Sequence, residues 1–340
     1  MSEQTVNIGL IGTGRIGRIH AQNLATRIPE ANLVAVADVV IDSAEEVGAR
    51  FGVSKIFEDY QEILEDPEVR AVAICSSTNT HAQIIQDAAS AGKHIFCEKP
   101  IDLELKRIDK ALAAVEAAGV KLQVGFNRRF DPNFRKVRQL ASEGKVGEPQ
   151  ILRITSRDPE PPPMDYVKVS GGIFLDMTIH DFDMARYIIG SEVEEIYVIG
   201  GVMIDPKIGE LGDLDTVIIT LRFENGVIGT IDNSRKAVYG YDQRIELFGS
   251  AGMVSTENET PDRHSFSSAD GIQKPLPHHF FLERYAISYL REMQSFVNSI
   301  WQDTEPEVTG SDGRWPVVMG LAAQKSHEEN RPVALIEIAS

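Results

Sequence analysis

TVNIGLIGTGRIGRIH, residues 5–20, sets an apolar, strand-like run directly before Gly12, Gly14 and Gly17 and an amphipathic run directly after them. In a G-x-G-x-x-G turn the first glycine permits the tight turn and the second lets the backbone approach a pyrophosphate. The third lets helix and strand pack closely. The start of the following helix attracts phosphate, so Gly12, Gly14 and Gly17, with Arg15 and Ile16 between them, are candidate cofactor contacts. The next apolar run, NLVAVAD (32–38), ends in Asp38, 21 residues after Gly17. A carboxylate there can accept from both ribose hydroxyls and repels a 2′-phosphate. This predicts NAD over NADP, with Arg15 keeping NADP open.

Working outward, short apolar runs alternate with helical ones to about residue 125. VRAVAIC (69–75), HIFCEK (94–99) and KLQVGF (121–126) read as strands, and THAQIIQDAASAG (80–92) and LKRIDKALAAVEAAG (105–119) as helices ending in glycine caps. Such alternation predicts a parallel sheet covered on both faces. From residue 149 the rhythm changes. EPQILRITSRD (148–158), VEEIYVIGGVMI (193–204), DTVIITLRF (215–223), GVIGTIDNS (226–234) and YDQRIELFG (241–249) read as strands, most following one another without helices. ENG (224–226) reads as a hairpin turn. The expected architecture is α/β: an N-terminal Rossmann domain over 1–125 and a C-terminal α+β domain over 126–340 with a large, mostly antiparallel, open-faced sheet. Helices are expected near 281–301 and 312–328, a last short strand at PVALIEI (332–338), and a loop over 256–279.

A chain of 340 residues suits two domains, since single cores stop growing at roughly 250–300 residues. A formal net charge of −17 argues against nucleic acid and against an anionic membrane surface as partner. No apolar run reaches the roughly 18–20 residues of a spanning helix. MSEQTVNIGLIG has no basic start followed by a long apolar stretch, so no signal peptide is read there. Cys75 and Cys97 are the two cysteines, read as reduced structural thiols at strand ends, which fits the cytoplasm.

Three stretches carry candidate chemistry. CSSTNTH (75–81) follows a parallel strand, and ligands bind beyond the carboxyl ends of such strands. Ser76, Asn79 and His81 are therefore candidate cofactor contacts, with His81 equally readable as a structural histidine. HIFCEKP (94–100) ends a strand with Glu98, Lys99 and Pro100, and the proline halts the sheet and holds Lys99 at its edge. In GGIFLDMTIHDFD (171–183), Asp176, His180 and Asp183 are spaced by four and three. At roughly 100° per residue they fall within about 60° of one helix face. A narrow ionisable stripe bordered by apolar residues reads as the wall of a binding site.

GxGxxG near the start, EKP at 98–100 and GGxxxDxxxHxxD at 171–183 together resemble the glucose-fructose oxidoreductase / inositol dehydrogenase / rhizopine catabolism family over nearly the whole chain. SRDP (156–159), SGGIFLDMTIHDFDMAR (170–186), YGYD (239–242) and FFLERY (280–285) resemble its inositol-oxidising members most. The resemblance implies NAD-dependent oxidation of myo-inositol to 2-keto-myo-inositol, with Lys99, Asp176 and His180 as catalytic residues. It implies Glu98 beside the cofactor, and Asn127, Arg157, Asp183 and Tyr241, with the catalytic three, as contacts to a small polyol. It also implies a homotetramer joined through the open sheet face. In that chemistry His180 is the natural base, because its ordinary pKa lies nearest neutrality. Asp176 would orient its ring, and Lys99 would hydrogen-bond the reacting oxygen.

Several rivals remain. Another inositol isomer, scyllo or D-chiro, or an aldose such as glucose, offers a similar ring of hydroxyls. A non-catalytic NAD-sensing regulator would keep the glycines and Asp38 but has no use for Lys99, Asp176 and His180 together. Asp and His at i and i+4 could ligate zinc, yet no third and fourth ligand stands nearby apart from His278 and His279; no metal is expected. A structural stripe of paired charges is costly to bury without function.

Overall fold

The computed structural model describes residues 5–339; the start of the N-terminal stretch read for a signal peptide, residues 1–4, lies outside them. By compactness the chain forms two units, Met1–Asn127 with Ser288–Trp315, and Arg128–Ile287 with Pro316–Ser340.

The first unit is built on β1 (Val6–Ile11), α1 (Arg15–Thr26), β2 (Ala31–Ala37), α2 (Ile41–Phe51), β3 (Lys55–Phe57), α3 (Gln61–Glu65), β4 (Ala71–Ile74), α4 (Thr78–Ser90), β5 (His94–Glu98), α5 (Leu105–Ala118) and β6 (Leu122–Gly125). The sheet runs β3-β2-β1-β4-β5-β6, with every pairing parallel. The order reverses between β1 and β4, the position at which open parallel sheets bind ligands beyond their carboxyl ends. The strands are apolar because both faces are covered: Val6, Ile8, Leu10, Val72 and Phe96 have no exposed surface.

The division differs from the expected single cut at 125/126. Helix Ala286–Trp301 carries Met293, Phe296, Val297 and Ile300 at helical spacing, and these pack with Val6, Ile8, Leu10, Leu24 and Phe96 in one core. Each such side chain contributes roughly 1.5–3 kcal/mol when fully buried. A periodic apolar face says that a helix packs, not on which sheet, so its return to the first unit was invisible in sequence.

The second unit begins with α6 (Pro132–Ser142) and β7 (Pro149–Arg157), followed by the short helices α7 (Met164–Val167) and α8 (Gly172–Asp176), and then α9 (Ile179–Ile189). Strands β8 (Val193–Gly201), β9 (Thr216–Phe223), β10 (Ile228–Ser234), β11 (Asp242–Gly249) and β12 (Gly252–Ser255) complete a sheet in the order β12-β11-β7-β10-β9-β8, edged by a short strand, Val333–Ala334. β7 and β10 pair in parallel and the remaining neighbours are antiparallel. Gly226, at φ +86°, makes the ENG turn between β9 and β10. β9 alternates buried and exposed positions along its length, the mark of a sheet with one covered face. The expected strand at 332–338 is only two residues long and is followed by a helical turn, Ile336–Ala339. The expected loop 256–279 contains a small hairpin, Phe266–Ser268 with Gly271–Gln273. Among the described residues no helix is long and apolar enough to cross a membrane.

Candidate active site

In the first unit the glycine turn is shaped as the spacing predicts. Gly12 has φ +94°, and a Cβ there would strike the backbone of Cys75 and Ser76. A Cβ on Gly17 would land on the Gly12 carbonyl oxygen, whereas a Cβ on Gly14 would meet nothing within 4 Å. Two glycines thus allow close packing, and the third lines open space at the N-terminus of α1, whose N-cap receives no side-chain hydrogen bond. Uncapped amides facing open space are what a pyrophosphate requires. Arg15 is exposed and Ile16 half-buried at the same helix end. Asp38 stands just beyond β2, where its carboxylate accepts from the Thr13 amide at 2.7 Å and the Thr13 hydroxyl at 2.9 Å. Its other oxygen accepts from the Val40 amide at 2.9 Å. The turn, the open helix end and this carboxylate fit a dinucleotide. Asp38→Ala is expected to weaken NAD about tenfold to a hundredfold and to raise the NADP:NAD preference; fluorescence titration with both cofactors checks this, and an unchanged ratio would move the ribose contact elsewhere.

The neighbouring loop is more structural than expected. Ser76 shares a 2.7 Å hydrogen bond with Thr80, and the Asn79 backbone carbonyl accepts from Arg107. His81 fits the structural one of its two readings. It is buried, with Nδ1 2.8 Å from the Pro100 carbonyl oxygen and Nε2 3.0 Å from that of Ser76. A neutral ring donates to one of these at a time, and burial pushes its pKa down. His81 thus ties the ends of β4 and β5 together instead of facing a cofactor. Glu98 also turns inward, its carboxylate 2.8 Å from His20 Nε2. Lys99 follows, half-buried, joined to Pro100 by a cis peptide bond. Asn127 is buried, and its amide nitrogen has no hydrogen-bond partner among the described residues.

In the second unit the expected single helix over 171–183 is two. α8 ends at Asp176, and the Met177 and Thr178 amides both donate to the Ile173 carbonyl before α9 begins at Ile179. Asp176 thus ends one helix, while His180 and Asp183 share the next. Asp176 and His180 are half-buried, while Asp183 has no exposed surface. Both Asp183 oxygens accept from Arg129 Nε at 3.0 Å, and one accepts from an Arg129 terminal nitrogen at 2.7 Å. The expected polyol acceptor is therefore half of a buried bidentate ion pair. Asp176 accepts from the Tyr166 hydroxyl at 2.8 Å and from Arg235 at 3.2 Å. Arg235, itself 1% exposed, also reaches Asp213 at 3.4 Å. A buried guanidinium shared by two acids holds Asp176 in place.

Two other expected polyol contacts are engaged as well. Arg157 donates to Asp232 at 2.8 Å and to the Tyr239 hydroxyl at 3.2 Å. Tyr241 is buried edge-on against Tyr285, with Arg128 3.5 Å from its hydroxyl. Arg128 pairs with Asp181 at 2.6 Å, and Asp181 also accepts from Asn233 at 2.8 Å. Sequence reasoning missed Arg128, Arg129, Asp181 and Arg235. The available signal was FNRRF (126–130), where two adjacent arginines stand between phenylalanines.

Asp158, beside Arg157 in SRDP, is pushed up to about 7 by burial and then by the nearby Asp176 charge. A carboxyl with a raised pKa keeps its proton in the folded state, so it costs stability as pH rises from its unfolded value toward about 7. Asp158→Asn is expected to raise the melting temperature relative to the parent above pH 7, with the gain shrinking toward pH 4. A gain independent of pH would mean that Asp158 titrates normally.

The profile described as "Oxidoreductase family, NAD-binding Rossmann fold" matches residues 6–126, and that of the GFO/IDH/MocA C-terminal domain matches residues 134–255. The myo-inositol 2-dehydrogenase of Thermotoga maritima is 50% identical over 98% of this chain and 99% of its own. The inositol 2-dehydrogenase of Rhizobium meliloti is 45% identical over 97% and 99%. Among solved structures, scyllo-inositol dehydrogenase of Lactobacillus casei, with bound NAD(H) and scyllo-inositol, superposes with a TM-score of 0.92 at 34% identity, covering 98% of this chain and 99% of that one. With both halves matched and the glycine turn open to a dinucleotide, the chain belongs to the GFO/IDH/MocA family of NAD-dependent oxidoreductases.

Proposed function

We propose that this protein oxidises myo-inositol to 2-keto-myo-inositol with NAD. The observation that carries the reading is 50% identity along the full length of a myo-inositol 2-dehydrogenase, in a chain that keeps Lys99, Asp176 and His180. Removing hydrogen from a secondary alcohol takes a hydride from carbon and a proton from oxygen; bound NAD accepts the hydride. The proton is the protein's task. His180 takes it from the hydroxyl as general base, and Asp176, held by Tyr166 and Arg235, favours the imidazolium. Lys99 hydrogen-bonds the reacting oxygen and stabilises its alkoxide character. Asn127, whose buried amide nitrogen has no hydrogen-bond partner among the described residues, is the best supported of the remaining polyol contacts. Arg157, Asp183 and Tyr241 act through the residues they hold.

A second reading, scyllo-inositol as the preferred isomer, is supported by the likeness to the Lactobacillus casei enzyme with that ligand bound. The test is NADH formation with myo-, scyllo- and D-chiro-inositol, glucose and xylose. A kcat/KM for myo-inositol at least about tenfold above that for glucose is expected. Preference for glucose would make the protein an aldose dehydrogenase. Silence across the panel with NAD still bound would make it a sensor.

We further propose a homotetramer formed through the open face of the second unit's sheet. That face exposes Ile199 and Ile218, which are register partners, and Phe248 and Met253, which are also partners, together with Ile228. A row of exposed apolar side chains across several strands is what a protein–protein interface covers. Light scattering on the purified protein would show one chain's mass, 37.6 kDa, if this is wrong. The free thiols Cys75 and Cys97 suit a reducing cytoplasm.

A further inference from the structure

Three ionisable side chains converge inside the first unit, behind the turn that carries Lys99. His20 comes from α1, three residues after Gly17; Glu98 comes from the end of β5; Glu292 comes from the helix Ala286–Trp301. His20 and Glu292 have no exposed surface and Glu98 is 9% exposed. His20 Nε2 lies 2.8 Å from a Glu98 oxygen and 3.9 Å from a Glu292 oxygen. Neither Glu292 oxygen has a hydrogen-bond partner among the described residues, and neither has His20 Nδ1. The surroundings are largely apolar or neutral. Phe96 and Tyr289 stand edge-on to the imidazole at 5.0 and 5.9 Å. Gln123 donates to the Glu292 backbone carbonyl at 2.7 Å. The thiols of Cys75 and Cys97, which feel the Glu98 charge, are pushed up by burial and stay protonated.

One imidazole cannot neutralise two buried carboxylates, and an uncompensated charge at zero exposure is too costly to keep. The group must therefore hold an extra proton or a cation. We propose that Glu292 is a neutral carboxylic acid at neutral pH and a positioning residue, which through His20 holds Glu98, and with it the start of the Lys99 turn, in place. Burial first, and then the Glu98 charge, raise the pKa of Glu292 well above its ordinary value. With that proton in place His20 and Glu98 form a single pair; without it, two like charges meet around one ring and Glu98 is driven off His20.

The consequence for turnover rests on the reading of Lys99 above, whereas the protonation itself does not. The decisive experiment is the infrared spectrum of the full-length protein at pH 7, compared with Glu292→Gln. The parent is expected to show a protonated-carboxyl C=O band, shifted in D2O, that Glu292→Gln lacks. Glu292→Met, which puts an apolar chain where the acid stands beside the pair, is expected to lower kcat on the order of tenfold to a hundredfold with KM for NAD little changed. The isosteric, neutral Glu292→Gln should restore most of that loss and extend activity to higher pH. Absence of the band overturns the proposal, as does wild-type kcat in Glu292→Met. One equivalent of divalent metal in the purified protein, lost in Glu292→Gln, also overturns it, since the three ligand atoms lie within 4.8 Å of one another and a cation would then supply the missing charge. If Lys99→Ala keeps its turnover while the band is present, the reading of Lys99 fails and the buried acid stands.

Discussion

Replacing His180 by alanine is expected to lower kcat about 10²–10⁴-fold, with NAD affinity unchanged. Alcohol oxidation stalls unless the hydroxyl proton leaves as the hydride does, and water is a poorly placed base at neutral pH. His180 belongs to the second unit, on α9, whereas the glycine turn and Asp38 belong to the first. Removing the imidazole should therefore leave cofactor affinity alone and cut the chemical step. Lys99→Ala should behave similarly, because a hydrogen-bond donor to an oxygen gaining negative charge acts chiefly in the transition state. Steady-state kinetics with myo-inositol, paired with fluorescence titration of NADH, separate the two quantities. Near-native turnover in either variant would remove that residue from the reaction. A loss of NADH affinity equal to the loss of kcat would make the effect one of folding.

Arg128→Met is expected to destabilise the protein by about 3–5 kcal/mol, because it leaves the Asp181 carboxylate buried without its cation. Asp181 has no exposed surface, and Arg128 is its guanidinium partner at 2.6 Å. Ser156 and Asn233 remain as donors, but neutral donors do not replace a charge, and burial raises the Asp181 pKa. A loss of this size lowers the melting temperature by roughly 10 °C for a unit of about this length. Arg157→Met gives the contrast. Its pair with Asp232 is about one-third exposed on both sides, so about 1 kcal/mol or less is expected. Adding Asp181→Leu to Arg128→Met should recover part of the loss, since an apolar pair avoids the stranded charge. Thermal and urea denaturation of these variants would show whether the buried pair or simple side-chain volume is responsible: equal losses for Arg128→Met and Arg157→Met would refute the charge argument.

Most of the first unit was legible in the sequence, because its determinants are local. A glycine turn, a strand and a capped helix are specified by neighbours along the chain, and their spacing also located Asp38. The strand-rich second half was legible for the same reason, since period-two alternation and the ENG turn act over a few residues. Asp176 and His180 stood out by spacing, although the single helix that suggested them does not exist. Its break at Met177–Thr178 leaves Asp176 at the end of one helix and His180 and Asp183 on the next, where Asp183 pairs with Arg129.

The sequence by itself therefore determined the parallel α/β start, the largely antiparallel second sheet and the cofactor class, all carried by short-range pattern. Only the tertiary structure decided the partners. Helix Ala286–Trp301 joins the first unit's core, Arg128 and Arg129 neutralise Asp181 and Asp183, Arg235 holds Asp176, and Glu292 meets His20 and Glu98. These pairs join residues 53 to 272 positions apart. Periodicity can say that a side chain is buried, but the charge it meets there is set by which elements pack together.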